Sequence, residues 1–243
     1  MTPHVLTQRL VTALGSHLTS VILFGSSAAG DHTGRRSDYN VLVVLDRLGV
    51  KELHMLSKVA QAWGRAGNPS PLLFTRESLV ESVRAFPLEM ADIKDSHQIL
   101  FGKDVISALV IDMTALRFEL EHELRGKLMR LRSRYLLTHG RPREITELMV
   151  QSLSTFLALF RGALRLYEPG VPRKKFDALA AFATHLPVKT TVFETVWQLK
   201  MGRRIPGLEP GQLFVEYLQA IESVVEAVDA RLHPTRAQEG KHS

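Results

Sequence analysis

The chain of 243 residues contains no cysteine. That excludes disulfides, thiolate metal sites and a cysteine nucleophile, although it does not identify a compartment. Long hydrophobic runs are also missing: nothing approaches the roughly 20 apolar residues that a membrane helix needs. The first 18 residues are interrupted by Gln8, Arg9 and His17 and so lack the apolar core of a signal peptide. A cytoplasmic protein with no membrane segment is the expectation. Internal repeats and low-complexity stretches are absent as well.

What remains is the composition of an ordinary globular protein, 45% hydrophobic and 23% charged. The net charge of +6 is unevenly placed. Residues 1–106 hold 11 Lys+Arg and 10 Asp+Glu, whereas residues 107–243 hold 20 and 15. A basic C-terminal half suits phosphates, nucleotides or RNA, and equally serves as a solubility charge.

Along the chain, Leu6, Leu10, Leu14 and Leu18 recur at helical spacing, which predicts a helix over about residues 3–15, ended by Gly15. Val21–Phe24 and Val41–Leu45 are apolar without alternation, as in strands covered on both faces. A helix over 50–64 ends at the Gly64 to Pro69 stop, and Leu72–Phe74 is a short third strand. Thr75 caps a further helix, with Ser78 in place of the Glu or Gln that completes a capping box. A helix after Pro87 leads to a strand at about Gln98–Phe101, closed by Gly102. The expected class is α+β, a small mixed sheet flanked by helices.

Beyond residues 103–110 the strand signal stops. The stripe Leu116, Leu120, Leu124, Leu128, Leu131 and Tyr135 predicts a long amphipathic helix. Leu153 to Tyr167, Lys175 to His185, Thr190 to Lys200 and Phe214 to Leu232 predict four more, with Pro187 separating the shorter pair. Five helices of these lengths make an antiparallel bundle. The expected domains are 1–106 (mixed sheet), 107–233 (bundle) and 234–243 (disordered tail).

The stretch from Val21 to Leu45, VILFGSSAAGDHTGRRSDYNVLVVL, carries the functional signal. Gly25 and Ser26 end the first strand, and Ser37-Asp38-Tyr39-Asn40 leads into the second. Residues at i and i+2 of a strand start share a face. A glycine turn lets backbone N–H groups approach phosphate. This order resembles the G-S-x(n)-D-x-D signature of nucleotidyltransferases of the DNA polymerase beta superfamily, and the appended bundle is similar to the branch that includes kanamycin nucleotidyltransferase. The resemblance implies Mg²⁺-dependent transfer of a nucleoside monophosphate from an NTP to a small-molecule or protein hydroxyl. Two Mg²⁺ ions about 3.5–4 Å apart are the usual device for that reaction. It also implies that Asp38 and Asn40 are the catalytic and metal-binding pair. Gly25, Ser26, Arg35 and Arg36 then hold the nucleotide.

The sequence departs from the signature twice. Asn40 stands where the second carboxylate belongs, and the third-strand segment Pro71–Thr75 has no acid. Asp31, or the helical Glu89, Asp92 and Asp95, are the available replacements. The alternative is therefore a catalytically inactive module of the same fold that binds a nucleotide or a partner, with the bundle mediating homodimerisation or regulation. Seven basic residues between Arg125 and Arg143 offer a polyanion-binding face or a solvated flank. Arg134 and His139 also fit R-x4-H, which resembles the pattern of HEPN ribonucleases, a third and weaker reading.

Overall fold

The computed structural model describes residues 1–29, 38–186 and 188–232. Among these the chain forms two compact units, Met1–Ala115 and Leu116–Ser243. The expected tail 234–243, Pro187, Asp31, Arg35 and Arg36 lie outside the described residues.

The N-terminal unit opens with α1 (Pro3–Leu14). Pro3 suits the first helical turn, because it lacks only an N–H that has no partner there anyway. Gly15 leaves the helix at φ 54, and a 3-10 turn, Gly15–His17, carries the chain into β1 (Leu18–Phe24). The strand therefore begins three residues earlier than its apolar run, and Leu18 belongs to the sheet and not to the helix stripe. After β1 comes α2 (Ser26–Ala29), a single turn where the sequence suggested only a loop. Then follow β2 (Asn40–Leu45), α3 (Val50–Arg65), β3 (Leu72–Thr75), α4 (Arg76–Ala85), α5 (Pro87–Asp95) and β4 (His97–Gly102).

The sheet has the order β3-β2-β1-β4. β1 is antiparallel to both β2 and β4, and β2 is parallel to β3, so the sheet is mixed as expected. Its two faces bury different sets of side chains. Val21, Leu23, Val41, Val43 and Leu45 pack with Leu6, Leu10 and Leu14 of α1 and with Leu56 and Trp63 of α3. Ile22, Leu42 and Val44 pack with Leu79 and Val83 of α4, Met90 and Ile93 of α5, and Ile106 and Leu109 beyond β4. This is why both strands lack polar alternation: each face has its own helical layer.

Local polar groups fix the joints. Thr75 Oγ1 accepts from Ser78 N–H at 3.2 Å while Ser78 Oγ accepts from Thr75 N–H at 2.9 Å. The capping box is thus complete with a serine, where the sequence suggested only half of one. Asp104 accepts from the Ser107 hydroxyl at 2.6 Å and from the Ile106 and Ser107 N–H groups. Those bonds hold its carboxyl at about 2, well below the ordinary 3.8.

The C-terminal unit contains α6 (Met113–Leu136), α7 (Pro142–Leu164), α8 (Lys175–Ala183), α9 (Thr191–Lys200) and α10 (Pro210–Leu232), with α6 beginning in the N-terminal unit. α7 is its core helix. Phe156 meets Tyr217 of α10 edge-on, and Phe160 meets Phe182 of α8 and Phe193 of α9. Tyr217 is fully buried, its hydroxyl bonded to Ser152 Oγ at 3.1 Å, and burial pushes its acidity far down. Tyr135 of α6 stacks on Phe214 of α10 at 4.2 Å.

β4 closes on β1 through Gly102, at φ 80, where an added Cβ would lie 2.0 Å from Thr19 O. Gly102→Ala is expected to cost about 3 kcal/mol or more, from backbone strain and overlap together. Gly67→Ala, at φ 87 in open space, should cost only about 1 kcal/mol. Urea denaturation of the two variants separates the effects, and equal costs would contradict the tight β1–β4 joint.

Candidate functional site

The antiparallel register sets Phe24 opposite Asn40, so the residues just beyond both strand ends come together at one corner of the sheet. Gly25 turns there at φ 77, a conformation that glycine adopts without the steric penalty of a side chain. Its N–H donates to Ser96 O at 3.2 Å, and its carbonyl accepts from Ala28 N–H at 3.0 Å as α2 begins. Ser26 is the first residue of α2. Ser27 Oγ donates to Asp38 O at 3.1 Å, tying the two sides of the corner. On the far side, Asn68 Oδ1 accepts from Tyr39 N–H at 3.1 Å, and Tyr39 leans on Trp63.

Asp38 is exposed and Asn40 is half-buried. By strand alternation Asn40 lies on the side of the sheet that carries Leu42 and Val44, with Asp38 two residues before it, while Tyr39 belongs with the opposite layer. The structure thus brings Gly25, Ser26, Asp38 and Asn40 to one corner. Asn40 Nδ2 is the atom that a Cβ on Gly25 would meet, at 3.2 Å. The uncharged side-chain amide of Asn40 therefore faces the turn.

An amide at that position supplies no negative charge for a cation. β3 supplies nothing to offset it. In the parallel register Leu72 lies beside Leu42 and Thr75 beside Leu45, with no acid between them. α5, with Glu89, Asp92 and Asp95, packs on the same side of the sheet through Met90 and Ile93. Even so, no group of three His, Cys, Asp or Glu residues able to hold a metal occurs among the described residues. Among the described residues this donor set does not fit paired Mg²⁺ ions, which favour anionic oxygens in octahedral arrays.

Ser96 is a participant that the sequence did not reveal. It is 1% exposed, its carbonyl holds Gly25, and its Oγ makes no hydrogen bond. Nothing in its surroundings in sequence distinguishes it, because its contact with Gly25 forms only when β4 pairs with β1.

The other candidates lie elsewhere. Arg134 donates to Gln151 at 2.5 Å, whereas His139 is exposed in the turn after α6 at φ 50. α6 ends at Leu136, so R-x4-H does not present its two residues on one helix face. The groove of about 300 Å³ beside Arg134 is lined by Leu137, Thr138, Glu144, Glu147, Leu148 and Gln151, without His139. Most of the basic stretch is paired: Arg125 with Glu121 and Asp229, Lys127 with Glu123, Arg132 with Glu222, and Arg141 with Glu144. That pattern is a solvated flank of ion pairs more than an open polyanion face.

No protein-family model matches the chain, and no curated protein matches it. Among solved structures, it is similar to the spectinomycin adenyltransferase AAD(9) from Enterococcus faecialis, determined with ATP and spectinomycin. The TM-score is 0.58 at 12% identity, covering 92% of this chain and 98% of that one. A toxin–antitoxin structure with AMP-PNP covers 42% of this chain and 74% of its own at 20% identity, with a TM-score of 0.29, too low to bear on the fold. The first likeness shows a nucleotidyltransferase-like fold.

If Asn40 packs against the Gly25 turn, the two positions are energetically coupled. Gly25→Ala should destabilise by about 1–2 kcal/mol from its positive φ. In an Asn40→Ala background the cost should fall by about 0.5 kcal/mol or more, the difference being read by a double-mutant cycle in urea. Strict additivity would place the Asn40 amide away from the turn.

Proposed function

We propose that the protein binds a nucleoside triphosphate at the Gly25–Asn40 corner, and that this binding, not two-metal nucleotidyl transfer, is its function. The observation that carries the reading is the uncharged Asn40 amide, in place of a carboxylate, set against the Gly25 turn. Where a transferase of this fold needs an anionic oxygen for a metal, this chain offers a hydrogen-bond donor for a phosphate oxygen. The Gly25 turn lets backbone approach the phosphates without a side chain in the way. Asp38 is then the one carboxylate of the pair, and in the absence of a bound cation it repels a triphosphate. Support for a nucleotide as ligand comes from the adenyltransferase of similar fold, which was determined with ATP.

A second reading keeps nucleotidyl transfer to a hydroxyl of a small molecule or protein. It is favoured by one fact: the likeness to the adenyltransferase runs over 92% of this chain, well beyond its mixed sheet. In this reading Asp38 and Asn40 hold Mg²⁺ and the nucleotide together. Among the described residues, the donor set does not supply such a centre.

The two readings give Asp38 opposite signs. Under the binding reading, calorimetry with ATP in EDTA detects binding, and Asp38→Asn leaves affinity unchanged or raises it a few-fold by removing repulsion. Asn40→Asp weakens binding by adding a second negative charge. Under the transfer reading, binding requires Mg²⁺, Asp38→Asn abolishes it and Asn40→Asp strengthens it. Appearance of label on an acceptor from α-labelled ATP would overturn the binding reading outright.

A further inference from the structure

α6 buries Leu116, Leu120, Leu124, Leu128 and Leu131. Its opposite side carries a second stripe, Phe118, His122, Gly126, Met129, Ser133 and Leu136, at spacings of four and three. At 3.6 residues per turn these six fall within about 80° of one another. Phe118, Met129 and Leu136 are 59%, 66% and 74% exposed. The stripe contains no Lys, Arg, Asp or Glu, although the helix around it holds nine. Isolated exposed apolar residues need no explanation, but an aligned uncharged stripe in so charged a helix does.

Gly126 sits at its middle. Glycine weakens a helix interior relative to alanine. A Cβ there would meet nothing within 4 Å, so no contact within this chain requires its absence. A small residue at the centre of an exposed stripe allows a second helix to approach closely.

The flanking charges say which helix. Glu119, Glu121 and Glu123 precede Gly126, and Arg130, Arg132 and Arg134 follow it, spaced identically. Reversing the helix about Gly126–Lys127 lays each acid of one copy over an arginine of the other: Glu119 on Arg134, Glu121 on Arg132, Glu123 on Arg130. Glu119, Glu123, Arg130 and Arg134 share one flank of the stripe; Glu121 and Arg132 share the other. A parallel pairing would instead stack acid on acid and arginine on arginine. Several of these groups already have partners, Glu121 with Arg125, Glu123 with Lys127 and Arg132 with Glu222. Those pairs are partly exposed, and a guanidinium has five N–H donors, so each can take a second partner.

We infer that α6 is the interface of a two-fold dimer of this chain, with the two helices antiparallel across the Phe118–Leu136 stripe. Apolar burial of Phe118, Met129 and Leu136 drives association, and the charge inversion about Gly126 sets the direction. Phe118 of one protomer then lies within one residue of level with Leu136 of its partner, and the two Gly126 residues flank the two-fold axis.

Because the chain has no cysteine, single introduced cysteines report this geometry without background. Sedimentation of the full chain should show a concentration-dependent dimer that Met129→Lys, exposed and tolerated by the fold, converts to monomer. Under mild oxidation Gly126→Cys should cross-link to itself and Ser133→Cys should not. A mixture of His122→Cys and Ser133→Cys chains should give a mixed cross-link. A monomer up to sub-millimolar concentration overturns the inference. So does a dimer that survives Met129→Lys, or self-cross-linking of Ser133→Cys as efficient as that of Gly126→Cys, which would mean a parallel pair or another partner surface.

Discussion

The register of β1 is the constraint on which the N-terminal unit depends. β1 and β2 are apolar on both faces, so sliding either by one residue would still bury hydrocarbon. Hydrophobicity alone does not choose the register. Two polar details do. Ser20, fully buried, donates to Phe101 O and Lys103 O, and Gly102 lets the end of β4 come against Thr19 and Ser20. With β4 locked to β1 in this way, Ser96 arrives beside Gly25 and accepts its N–H. The pairing of β1 with β2 then delivers Asn40 to the same turn. A site two strands wide is thus set by contacts at the other end of those strands.

The chemistry follows from one exchange of charge for polarity. An anionic side chain at position 40 would share with Asp38 the task of binding cations. An amide there keeps the shape, drops the charge and adds a donor beside its remaining acceptor. With the third strand reading Leu72, Leu73, Phe74 and Thr75, the described residues of the corner do not gather the concentration of negative charge that a two-metal centre is built on. A fold can keep the part that recognises phosphate after the part that activates it has changed, because the first rests on backbone geometry and the second on a few side chains.

The α+β class, the two strands of the motif and the five C-terminal helices were legible because each rests on periodicity over many residues. Errors fell where a single contact decides. Leu18 completes the helical stripe, yet Gly15 sends it into β1. Ser78 does not look like a capping-box residue, but its hydroxyl reaches Thr75 N–H. Gly25 and Asn40 were visible as a motif, whereas the direction of the Asn40 amide and the roles of Ser96 and Asn68 needed the folded chain. The outer stripe of α6 is present in the sequence too, and it becomes meaningful once the leucine stripe is known to be the buried one. Arg134 and His139 show the converse: a matching spacing lost its meaning when the helix ended between them.

The central claim is that a nucleotide sits at the Gly25–Asn40 corner, and amide hydrogen exchange with and without ATP tests it most directly. The account predicts added protection at Gly25, Ser27, Ala28, Tyr39 and Asn40 when ATP is present in EDTA, with smaller changes in α1 and α3. No protection at these amides at millimolar ATP, or protection confined to the C-terminal unit, would contradict it.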